Sequence, residues 1–138
     1  MVNAGLKTNA DCISSFNELK IRKKFRYIIY AIKDSNISIE KALDASADFK
    51  YGDFVNYLAA CDGPRFAVLD YNYSEENVER SKIIFIFWCP DNVRIRDKMT
   101  YAAAKEDFQK KLTGLQKIKQ VNDVSDIEES EIQALVAQ

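Results

Sequence analysis

Apolar and polar positions along the chain change period several times, and each change marks an element. Cys12, Ile13, Phe16 and Leu19 recur at helical spacing behind Asn9 and Asp11, either of which can cap a first helix. FRYIIYAIK (25–33) is a nearly unbroken apolar, β-branched and aromatic run, as expected of a central strand covered on both faces. Asp34-Ser35-Asn36 signals a turn, and Ile37, Ile39 and Ala42 continue as a hairpin partner. After a loop-like stretch at 44–48, Phe54, Val55 and Leu58 make residues 51–58 a short amphipathic helix, closed by the breaker Asp62-Gly63-Pro64. RFAVLDYNY (65–73) reads as a third strand, 74–79 as an acidic loop, and SKIIFIFWC (81–89), the most apolar stretch, as a fourth strand.

The longest helix-compatible segment follows, with no Gly or Pro from Asp91 to Thr113. Pro90 ends the preceding strand, Asp91 or Asn92 can cap the first turn, and Gly114 suits the C-terminus. Arg94, Lys98, Tyr101 and Lys105 share one side of this helix, read as a positive stripe with an exposed tyrosine. Ile95, Met99 and Ala102 lie on a neighbouring flank and read as its packing face. The row Phe108, Leu112, Leu115 runs at a different angle, so the helix either bends near 104–107 or its halves meet different neighbours. A last strand over 115–121 and an amphipathic helix over 126–136 close the chain. This order implies an α+β fold, a mixed sheet flanked by helices, in one domain spanning 1–138.

Composition narrows the function more by exclusion than by signal. With 47% hydrophobic and 30% charged residues the chain is globular, and a net charge of −1 implies no general affinity for nucleic acid. There is no histidine, which removes the commonest general base and metal ligand. The three cysteines lack metal-ligand or disulfide spacing and read as reduced thiols. No phosphate-binding glycine loop or nucleophile elbow is present. Cys89 beside Pro90 has no base to activate it. Neither a signal core nor a membrane-spanning run appears, so the expected setting is cytoplasmic. Binding is therefore expected in place of catalysis, with no cofactor or metal.

Charge is uneven along the chain. Lys20, Arg22, Lys23, Lys24 and Arg26 form a basic cluster, whereas Asp123, Asp126, Glu128, Glu129 and Glu131 make the tail acidic. The basic cluster fits either anionic lipid head groups or the carboxyl end of the first helix, where cations are favoured.

Four stretches together resemble the actin-depolymerising factor/cofilin family: FNELKIRKKFRYIIY (16–30), RFAVLDYNY (65–73), ERSKIIFIFWCPD (79–91) and above all RIRDKMTYAAAK (94–105). The resemblance implies a five- or six-stranded mixed sheet between helices, the actin-depolymerising-factor homology fold. It implies that Val2, Asn3, Ala4, Gly5 and Leu6, with Arg96 and Lys98 and nearby Met99, Tyr101 and Lys105, dock in the cleft of an actin subunit. Arg94 joins this set from the charged row. A second surface, for the neighbouring filament subunit, would use Arg80 and Lys82 with the C-terminal helix, here Glu128 and Glu131. The implied partners are actin monomers and filaments, with phosphoinositides as a further ligand of the basic cluster; a cytoskeleton-associated monomer is expected. A monomer-sequestering or branch-junction relative, or a lipid-surface protein, are the alternatives.

Three positions depart from the family pattern. Ala4 stands where an inhibitory phosphorylation serine is expected, the tail helix is acidic, and Ala102, Ala103 and Ala104 replace small hydroxyl residues.

Overall fold

The structure is a computed structural model and describes residues 6–137. The apolar run at Phe25–Lys33 forms β2 and the run at Val78–Trp88 forms β5. Both lie inside the sheet, where unbroken apolar character lets a strand be covered on each face. The remaining strands are β1 (Lys7–Thr8), β3 (Asn36–Asp44), β4 (Arg65–Glu75) and β6 (Lys117–Val121). The sheet order is β1-β3-β2-β4-β5-β6. The central pairs β3/β2, β2/β4 and β4/β5 are antiparallel, and β1/β3 and β5/β6 are parallel, which makes the sheet mixed.

Successive side chains of a strand face opposite ways, and the two faces carry separate cores. On one face Ile28, Tyr30, Phe66, Val68, Ile83, Phe85 and Phe87 meet α1 (Ala10–Arg22) and α3 (Ile95–Lys111). On the other, Tyr27, Ile29, Leu69, Tyr71, Ile84, Ile86 and Trp88 meet α2 (Tyr51–Ala60) and α4 (Glu129–Val136). This is the expected mixed sheet flanked by helices.

Local readings needed correction where backbone, not side-chain pattern, decides. The two-residue β1 has no periodicity to announce it. It is held by the Lys7 amide donating to the Ser35 carbonyl (2.8 Å) and the Asn9 amide donating to the Ile37 carbonyl (2.9 Å). The acidic stretch 74–79 is no loop: β4 and β5 stay paired out to Glu75 and Val78. Glu76 (φ 53°) and Asn77 (φ 64°) make the turn, and positive φ at both central residues matches the twist of the hairpin strands. The tail opens with a 3-10 turn at Val124–Ile127, capped by the Asp123 carboxylate accepting from the Ser125 amide, before α4 begins. Asn9 and Arg94 occupy the N-cap positions of α1 and α3 without a side-chain capping bond, so neither Asp91 nor Asn92 caps the long helix.

Candidate actin-binding surfaces

The long helix is seated by one row of side chains. Tyr101, Ala104, Phe108 and Leu112 are all buried, and Phe108 meets Tyr30 edge-on at 4.9 Å and Phe66 at 5.4 Å. Aromatic contacts of this kind are worth about 0.5–1.5 kcal/mol beyond area burial, so this row fixes which side of α3 faces in. The helix runs unbroken from Ile95 to Lys111. The expected packing flank is instead the outer face: Ile95 and Met99 are 73% and 67% exposed, with Arg96 and Ala102 also exposed beside them.

The expected stripe of exposed cations is thereby revised. Tyr101 is 5% exposed and points into the core, where its hydroxyl accepts a 2.8 Å bond from the Ile32 amide. The β2/β4 ladder covers only Tyr27–Tyr30, so this phenol stands in for the strand that β4 no longer supplies. Tyr101 therefore positions α3 against the sheet. Tyr101→Phe should cost about 1 kcal/mol in urea unfolding by leaving that amide unpaired, with the helix surface unchanged. Lys98 and Lys105 are half-buried on the flanks, and the Lys98 ammonium donates to the Asp91 carbonyl (2.8 Å), bracing the turn before the helix. Arg94 is exposed at the N-cap. Sequence reasoning missed Ile95 as a surface residue. Counting back seven positions from Phe108 to Tyr101 gives the buried row and was the available signal.

Leu6 packs against the core on the same face as α3, so Leu6 and the long helix share one side of the sheet. Val2, Asn3, Ala4 and Gly5 lie outside the described residues.

Arg80 and Lys82 lie on the opposite face. They pair across the hairpin with Tyr73 and Tyr71, in register with Ile84 of the α2/α4 core. The Arg80 guanidinium is 3.1 Å from the Glu75 carboxylate, both half-exposed. Glu128 is exposed at the N-cap of α4, and Glu131 pairs with Lys119 at 3.5 Å. The structure thus separates the sequence-derived sites into two surfaces on opposite faces: α3 with Leu6 on one, and the hairpin with α4 on the other.

The basic cluster is largely committed within the molecule, so it is more than a hydrated helix end. The Lys20 ammonium donates to the Thr113 carbonyl (2.6 Å), and Lys24 is 3.6 Å from Glu18. Arg26 lies over the Phe49 ring at 4.5 Å. Lys23, left-handed (φ 56°) at the C-cap of α1, reaches Asp70 at 3.4 Å and Ser81 at 3.2 Å.

A family model described as cofilin/tropomyosin-type actin-binding protein matches residues 5–137. The chain belongs to this family. A cofilin of Gibberella zeae is 39% identical over 140 residues, covering 93% of this chain and 91% of the relative. Actin-depolymerizing factor 2 of Arabidopsis thaliana is 38% identical over 130 residues, covering 92% and 93%. Among solved structures, the cofilin of Streptomyces griseoflavus superposes with a TM-score of 0.83 at 31% identity, covering 92% of this chain and 93% of that one. The mixed sheet and flanking helices are thus the family's architecture. No helix among the described residues is long and apolar enough to cross a membrane.

Proposed function

We propose that this chain binds actin, as monomer and as filament subunit, and promotes filament disassembly from within the cytoplasm. The observation that carries the reading is the outer face of α3, where Ile95 and Met99 stand exposed beside Arg96 while the opposite row is locked into the core. Exposed apolar side chains flanked by a cation, on a rigid helix, are what interface centres use. Together with Leu6, and with Val2–Gly5 ahead of it, this face is the monomer-docking surface. Lys98 and Tyr101 set its geometry, and Arg94 and Lys105 lie at its margins.

The second surface, Arg80 and Lys82 with Glu128 and Glu131 of α4, meets the neighbouring subunit of a filament. A protein with docking surfaces on two faces of one sheet touches two subunits at once, and its preference for one filament geometry shifts the lattice toward it. Disassembly then follows from binding and needs no bond chemistry. Because α4 contains no Lys or Arg, monomer binding is the stronger of the two activities and severing is weak. Ala4 offers no hydroxyl for phosphate control at that position.

The test is filament co-sedimentation beside a monomer titration. Arg80→Ala with Lys82→Ala should lower filament affinity about tenfold and leave monomer affinity within twofold. Equal losses on both forms of actin would contradict the division into two surfaces.

A further inference from the structure

Between β4 and α4 lies an open cavity of about 410 Å³. One wall is the pair Tyr71 and Tyr73, whose rings are nearly parallel (17°) with centroids 6.1 Å apart. Glu129, Gln133 and Val136 of α4 line it as well, and so does Glu75. The carboxylates here are not equivalent. Glu75 is neutralised by Arg80 and, outside the cavity, Glu131 by Lys119. Glu129 accepts a 2.9 Å bond from the Tyr71 hydroxyl and has no ion pair among the described residues. The cavity thus joins the partly exposed Tyr73 ring, stacked on the buried Tyr71, to a carboxylate with no ion pair among the described residues.

From this geometry we infer that the cavity is a cation subsite that takes a lysine or arginine side chain of the filament subunit docked at the α4 face. Aromatic faces attract cations through their quadrupole, and a carboxylate opposite them completes the charge. The inference rests on the filament reading and deepens it. At α4 the charge sense of the contact is inverted, with this chain supplying the acid and the partner supplying the base. Glu129 then gives α4 one attractive contact, while the absence of cations on this helix still leaves filament binding the weaker activity.

The test uses the full chain with two readouts. Amide resonances of labelled protein are followed during titration with N-acetyl-arginine methylamide, and with the neutral glutamine analogue as control. Filament affinity is measured for Glu129→Gln, which keeps an acceptor for Tyr71 but removes the charge, for the partly exposed Tyr73→Ala, and for Asp48→Asn as a remote charge control. The arginine probe should shift residues 71–75 and 129–136 while the glutamine analogue does not. Glu129→Gln and Tyr73→Ala should each weaken filament binding about fivefold, with Asp48→Asn at the wild-type value. Normal filament binding by both cavity variants, in a chain that itself binds filaments, would overturn the subsite and leave the filament reading standing. Arginine binding by a chain that ignores filaments would overturn the filament reading and, with it, the occupant assigned here.

Discussion

Replacing Arg96 and Met99 together by alanine should weaken binding to monomeric actin about a hundredfold, with the unfolding midpoint unchanged. Both side chains are exposed on the outer face of α3 and make none of the contacts that seat the helix, which come from Tyr101, Ala104, Phe108 and Leu112. The pair combines a large flexible apolar group with a guanidinium, and truncations at interface centres cost about 2 kcal/mol or more each at hot spots. Two such losses, partly non-additive because the residues are neighbours, give about 3 kcal/mol, or roughly two decades in affinity. Lys98→Ala is a poorer test of docking, since it also frees the Asp91 carbonyl that this lysine braces. Fluorescence titration of labelled monomer beside urea unfolding of each variant would decide the matter. A folded double variant with wild-type affinity would remove α3 from the docking surface.

Why the sequence misplaced this face is instructive. Ile95, Met99 and Ala102 form a regular helical row, and nothing in a periodic pattern says whether a row meets core or solvent. The competing row through Phe108 and Leu112 wins because two large side chains fill the space above Tyr30, Phe66 and Phe85. Elements with long apolar runs, β2 and β5 above all, were legible because burial on both faces leaves no other composition open to them. The hairpin extension through Ser74–Glu79 was not, for all its residues but Val78 are polar and its ladder is held by backbone pairing and two positive-φ residues. The two-residue β1 is likewise a matter of amides and carbonyls. The role of Lys23 was hidden for a different reason: its partner Asp70 sits on a distant strand, and pairing across a sheet leaves no mark in local charge patterns.

Lys23→Met should lower unfolding free energy by about 2–3 kcal/mol near pH 7, and the loss should fade as pH falls into the carboxylate range. Asp70 is 2% exposed, on the α1/α3 face of β4 opposite Ile83, and its Oδ1 has no hydrogen-bond partner among the described residues. Burial raises its carboxyl above the ordinary value, while Lys23, and less strongly Arg26, pull it back. A carboxyl whose folded pKa lies above its unfolded value binds protons more tightly when folded. Stability therefore falls as pH rises through the interval between the two values and levels off above the folded one. Removing Lys23 raises the folded value further, widens that interval and deepens the loss at neutral pH. Below the unfolded value Asp70 is protonated in both states, so variant and wild type converge. Breaking a buried pair on one side costs about 3–5 kcal/mol, here discounted because the lysine end is half-exposed and screened by solvent. Combining Lys23→Met with Asp70→Asn should restore most of the neutral-pH stability, since no buried charge is left. Because the Lys23 ammonium also donates to Ser81, between Arg80 and Lys82, the single variant should loosen the root of the hairpin as well and show faster amide exchange at residues 79–82. Chemical unfolding of both variants at pH 4 and pH 7.5 reads the prediction directly, and a Lys23→Met loss independent of pH would show that Asp70 does not depend on this lysine.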